Sequence, residues 1–223
     1  MDINTLAGYI DHTLLKPTAS IDDIIKLCEE AEEHQFCSVC IPPYYVEKAV
    51  KKLENSPVKV CSVIGFPLGY QLTSIKIDEI KRAYDLGVDE VDAVINISAV
   101  KSGDWDWVEQ ELGGIATTAS IKDLVSKIIF ETCYLSEEEV IKLCQLCTHY
   151  EANFVKTSTG FGSGGATVDM VRLMKSHIGS KMKVKASGGI RTYADALRMI
   201  EAGAERIGAS AGINILKGLK ETL

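Results

Sequence analysis

Short apolar runs alternate with stretches in which apolar residues recur every three or four positions, and the alternation persists along the whole chain. The short runs, at 8–11, 38–41, 58–64, 90–95, 127–131, 154–157, 183–186 and 206–209, are rich in β-branched residues and bounded by turn formers, so they predict strands. Between them, 21–33, 46–53, 75–86, 105–119, 137–150, 168–176, 193–202 and 213–219 carry the spacing of helices with one buried face. Ser20, Ser136 and Thr192 stand where helix N-caps are wanted, and Gly87 and Gly203 where helix ends turn left-handed. Eight strand-then-helix units with no break in composition predict one α/β domain over residues 1–223. The expected fold is a single (β/α)8 TIM barrel with parallel strands, with a doubly wound open sheet as the alternative.

Catalysis in such a barrel belongs to the C-terminal ends of the strands and the loops that follow. Three runs carry chemistry there. Asp92 lies inside the apolar run 90–95, Lys156 in 154–157 and Lys185 in 183–186. Period-two alternation puts Val155, Val184 and Ala186 against the helices, which turns both lysines into the barrel. A buried ammonium is costly to desolvate, so two on adjacent strands beside an interior acid mark a functional cluster rather than strand ends reaching solvent. An amine is a nucleophile only when neutral, and a neighbouring ammonium with partial desolvation favours that form. Lys, Lys and Asp therefore suit a Schiff-base aldolase that needs neither metal nor organic cofactor. Passive anion binding is the other chemistry open to them.

Glycines add a second signal. Ser187, Gly188, Gly189, Ile190 and Arg191 follow the seventh strand, and Gly208 to Gly212 close the eighth. Backbone amides approach a phosphate closely at glycines, and loops seven and eight commonly hold one in these barrels; tight turns alone would also favour glycine. The segment 160–165 satisfies G-x-G-x-x-G, yet it lies in the sixth unit and is followed by Lys181, Lys183 and Lys185 rather than an acid. A dinucleotide site is therefore not expected.

Composition narrows the field further. The net charge is −7 with no Lys/Arg block, which argues against nucleic acid or an anionic membrane as partner. No apolar run reaches the ~18 residues of a membrane span, and no basic-then-apolar leader opens the chain, so a soluble cytoplasmic protein is expected. Seven cysteines form no framework, the Cys37/Cys40 and Cys144/Cys147 pairs are too far apart for a zinc ribbon, and the four histidines are scattered. No metal is predicted.

Residues 10–17, 65–69, 90–92, 154–160, 184–191 and 206–210 together resemble the deoxyribose-phosphate aldolase family, class I lyases with a barrel fold. The segment Lys156-Thr157-Ser158-Thr159-Gly160, with Lys185 in the next strand, is its most specific part. The resemblance implies that Lys156 forms the Schiff base, that Lys185 tunes it, and that Asp92 donates and accepts protons. It places the sugar phosphate at Gly160, Gly188, Gly189, Arg191, Gly208 and Ser210. Asp11 and Thr13, at the end of the first strand, become candidates to orient substrate or a lysine. Cys40 aligns with a cysteine near the active site of some relatives, although it reads first as a small apolar strand residue. The implied reaction is reversible cleavage of 2-deoxy-D-ribose 5-phosphate to D-glyceraldehyde 3-phosphate and acetaldehyde, without cofactor, by a homodimer or homotetramer. Two departures stand out: Ala211 replaces a serine, and Phe161 stands where some relatives carry lysine. A Schiff-base aldolase for another aldehyde or 2-oxo acid, and a silent sugar-phosphate binder, are the competing readings.

Overall fold

In a computed structural model, which describes residues 1–221, each expected run becomes a strand. They are β1 (Ile10–Thr13), β2 (Ser38–Ile41), β3 (Lys59–Ile64), β4 (Glu90–Val94), β5 (Val125–Ile129), β6 (Phe154–Lys156), β7 (Lys183–Ser187) and β8 (Arg206–Ala209). Neighbours pair in parallel in sequence order, and β8 returns to β1 to close the barrel. The helices are α1 (Ile3–Ala7), α2 (Ile21–His34), α3 (Val46–Lys52), α4 (Thr73–Asp85), α5 (Ile97–Lys101), α6 (Trp105–Ile121), α7 (Glu137–His149), α8 (Val168–His177), α9 (Tyr193–Glu201) and α10 (Gly212–Lys220). No helix among the described residues is long and apolar enough to cross a membrane.

The caps behave as expected. Ser20, Ser136 and Thr192 each form a capping box, with Asp23, Glu139 and Asp195 as the reciprocal acids. Gly87 and Gly203 follow their helices at φ of 93° and 110°. Helices α1 and α5 escape the periodicity because five residues make little more than one turn. Their caps, Asp2 to the Thr5 amide and Asn96 to the Ala99 amide, are the only local signals. Two strands are displaced from expectation. β1 begins two residues late because Gly8 closes α1, and β5 begins two residues early. The first shift takes Asp11 away from the strand end and into the barrel; the second puts Lys127 at mid-strand.

Two different interiors result. Between strands and helices lies a continuous apolar shell, from Leu6 and Ile10 around to Ile215 and Leu216. Inside the barrel charged side chains cluster among apolar ones, including a small patch of Cys40, Cys61 and Val63 packed against Leu15 and Phe66. One buried pair ties the shell to the strand that carries Asp92. Lys76 of α4 donates to the Val94 carbonyl at 2.7 Å and to Glu111 of α6 at 2.6 Å, and Glu111 accepts the Asn96 amide at 2.7 Å. Breaking such a pair leaves an uncompensated buried charge. Lys76→Met is expected to cost about 3–5 kcal/mol in urea unfolding, and Lys76→Met combined with Glu111→Leu to recover part of that loss.

Candidate active site

Parallel register brings the interior side chains together. Asp92 pairs across to Lys127, Lys156 to Lys185, and Lys185 to Arg206. The Asp92 carboxylate is wholly buried and receives three ammoniums: Lys127 at 2.8 Å on Oδ1, and Lys156 and Lys185, each at 2.7 Å, on the same Oδ2. Lys185 also reaches Asp11 at 2.5 Å. Arg206 donates its Nε–H to Asp11 at 2.6 Å and its Nη2 to Glu90 at 2.8 Å, and Glu90 lies 2.6 Å from Lys127. The charges therefore form a closed ring of alternating sign, Asp92, Lys185, Asp11, Arg206, Glu90 and Lys127, with Lys156 attached at Asp92.

This ring sets the protonation states. Burial alone would raise the Asp92 carboxyl, but the ammoniums of Lys127, Lys156 and Lys185 hold it well below the usual carboxylate range. Burial opposes ionisation of Asp11 as well, and Lys185 and Arg206 overcome it. Lys185 is pushed down by burial and, more strongly, up by Asp11 and Asp92, so it remains an ammonium. Cys61 is pushed well up by burial and, as a neutral thiol, donates to Asp92 Oδ1 at 3.1 Å. Cys40, Cys61 and Asp92 bring possible ligand atoms within 4.8 Å of one another. A divalent cation there would face the three ammoniums already on Asp92, so the cluster does not suit a metal.

Above the ring opens a cavity of about 340 Å³. Of the residues expected at the site, Thr13, Lys156, Gly160, Gly188, Gly189, Arg191, Gly208 and Ser210 line it. Lys185, Asp92 and Asp11 lie beneath it in the ring. Asp11 therefore touches a lysine rather than the cavity, because β1 starts later than its apolar pattern suggests. Cys40 is buried opposite Cys61, away from the cavity wall. Lys156, attached to the ring at Asp92, is thus the charged group that carries it to the cavity. The Lys16 and Arg191 side chains, also at this wall, have no ion-pair partner among the described residues.

The glycine loops have separate causes. Gly160, Gly188 and Gly189 take φ of 87°, 85° and 80°, and the amides of Gly188, Gly189 and Ile190 are left without protein acceptors among the described residues. A Cβ at Gly165 would stand 2.3 Å from the Gly188 carbonyl, and one at Gly208 3.1 Å from the Lys185 side chain. The G-x-G-x-x-G spacing thus reflects loop-on-loop packing. Below it, Thr157 and Ser158 are wholly buried; the Thr157 hydroxyl bonds the Ser187 carbonyl, and the Ser187 hydroxyl bonds the Ser158 carbonyl. Ala211 gives α10 no side-chain cap.

Sequence reasoning missed Lys127, Glu90, Arg206, Cys61 and Glu131. The first three open their expected strands, where a charge reads as a solvated end. The alternation of Val125, Lys127 and Ile129 was the available signal for an inward lysine. A pH consequence follows from the ring. With Asp11 and Asp92 depressed below the unfolded value of about 3.9, their contribution to stability is complete above roughly pH 5 and is lost as pH falls. The urea midpoint, followed by Trp fluorescence, is expected to begin falling near pH 5 and to fall most steeply below about pH 4, and Asp11→Asn to lower the plateau and flatten that slope.

A family model described as DeoC/LacD family aldolase matches residues 5–218. A deoxyribose-phosphate aldolase from Thermococcus gammatolerans is 54% identical over 217 residues, 96% of each chain. One from Thermococcus kodakarensis is 53% identical over 220 residues, 98% of each. The solved deoxyribose phosphate aldolase of Aeropyrum pernix, described as tetrameric, superposes with a TM-score of 0.92 at 34% identity, across 100% of this chain and 94% of that one. Barrel fold and whole-length similarity agree: the chain belongs to the DeoC/LacD family of aldolases.

Proposed function

We propose that this chain, acting as one aldolase domain over residues 1–223, reversibly cleaves 2-deoxy-D-ribose 5-phosphate to D-glyceraldehyde 3-phosphate and acetaldehyde. The carrying observation is that Lys156 alone joins the buried charge ring to the cavity, hydrogen-bonded to the Asp92 oxygen it shares with Lys185. Lys156 sheds a proton through that oxygen, and its neutral amine attacks C1 of the open-chain sugar. Loss of water leaves an iminium. As the C3 hydroxyl gives up its proton, the C2–C3 bond breaks and its electron pair passes into the iminium. Glyceraldehyde 3-phosphate departs and an enamine remains; protonation at C2 and hydrolysis then free acetaldehyde. Asp92, anionic at rest, takes up the protons these steps release and hands them back, and Lys185, cationic at rest, is the donor beside it. The free amides of Gly188 and Gly189, with Gly160, Gly208, Ser210 and Arg191, hold the phosphate.

Reducing surroundings suit the seven free cysteines, which supports the cytoplasm as the place of action. The tetramer described for the Aeropyrum pernix relative supports a homodimer or homotetramer here, which light scattering will measure. Borohydride reduction in the presence of 2-deoxyribose 5-phosphate is expected to leave one adduct, on Lys156, in peptide mass mapping. A folded protein without any adduct overturns the Schiff-base reading. Lys156→Arg keeps the charge but cannot form an imine, and is expected to lower kcat by about three orders of magnitude or more with unfolding unchanged within about 1 kcal/mol.

A further inference from the structure

Asp11, Glu90, Asp92 and Glu111 each meet a lysine or arginine in the interior. Glu131 is different. Among the described residues it is the one buried carboxylate without a cationic partner. It follows β5 in a left-handed conformation, φ 44°, a backbone state uncommon for a residue with a side chain. An uncompensated buried charge needs strong hydrogen bonds to persist.

Those bonds come from one residue of the β6 loop. Glu131 Oε1 accepts the Thr159 amide at 3.1 Å, and Oε2 accepts the Thr159 hydroxyl in a very short contact. Thr159 Oγ1 in turn accepts the Phe161 amide at 3.0 Å. The amides on either side of Gly160 are thereby committed, and the Gly160 N–H has no acceptor among the described residues. Gly160 lines the cavity at φ 87°, with open space where a Cβ would stand. The fit is close: a Cβ at Gly162 would come within 2.9 Å of the Glu131 carboxyl carbon and of Cys133 Sγ.

The geometry points to Glu131 as the positioning residue for the substrate's phosphate. It locks Thr159 and Phe161 so that the Gly160 N–H stays free at the cavity wall for an anion. The inference rests on the phosphate site proposed above. Glu131 touches neither the reacting carbons nor Lys156; it acts through Thr159. Its charge is satisfied by two Thr159 donors, so the carboxylate stiffens the loop without an added cation.

Kinetics with 2-deoxyribose 5-phosphate and with unphosphorylated 2-deoxyribose separate this role from a structural one. In Glu131→Ala, KM for the phosphorylated sugar is expected to rise about tenfold with kcat falling less than threefold, and kcat/KM for the unphosphorylated sugar to fall less than threefold. Glu131→Gln, which can still accept the Thr159 amide, is expected to restore KM to within about threefold of wild type. Equal losses on both sugars overturn the inference, as does an unchanged KM for the phosphorylated one. If Glu131→Ala does not fold, Thr159→Val removes the hydroxyl that joins Glu131 to the Phe161 amide while leaving the Thr159 amide in place, and is expected to show the same split. Calorimetry with inorganic phosphate supplies an independent reading, with affinity expected to fall about tenfold in Glu131→Ala and unchanged affinity counting against the inference. Should the wild type fail to cleave 2-deoxyribose 5-phosphate, the proposed reaction fails, and the phosphate titration still decides the role of Glu131.

Discussion

The Asp92 carboxylate, buried with three ammoniums on its two oxygens, is the constraint around which the barrel is organised. A lone ion moved into a protein interior loses several kcal/mol of hydration, and only close, saturated pairing offsets that loss. Pairing here cannot be satisfied by one neighbour. It requires β4, β5, β6 and β7 to hold a common register, and β8 and β1 to supply Arg206 and Asp11 at the far side. The apolar shell outside the strands supplies the general stabilisation of burial; the charges inside specify which residue faces which.

That division explains how the site is kept ready. At rest Lys185 and Asp92 hold opposite charge, while Lys156 shares their network and alone of these three reaches the cavity. Above, glycine turns at positive φ leave backbone amides without protein acceptors among the described residues.

Much of this was legible in the chain. Lys156, Lys185 and Asp92 announce themselves because each interrupts a run whose alternate residues are apolar, and the capping residues mark the helices reliably. Lys127, Glu90 and Arg206 escaped notice for one physical reason: a charge at the first position of an apparent strand is usually solvated, and only the closed barrel makes those positions interior. Asp11 reads as a strand end because the apolar start at Gly8 and Tyr9 belongs to the close of α1, a helix too short for its period to register. Glu131 carries no periodic signature at all, since its role depends on a left-handed turn and on a loop two elements away. The glycines of 160–165 were visible as a motif, but their separate causes, conformation at Gly160 and contact at Gly162 and Gly165, exist only in three dimensions.

The signs around the ring are not shuffled along the chain. Its three acids, Asp11, Glu90 and Asp92, all come from β1 to β4, and its three bases, Lys127, Lys185 and Arg206, with the attached Lys156, all from β5 to β8. An isolated N-terminal half-barrel would have to bury three negative charges with no ring cation to meet them, and the C-terminal half four positive ones. Each half presents the counter-charge the other lacks, so the pairing that offsets burial of the ring exists only when both halves of the chain are together.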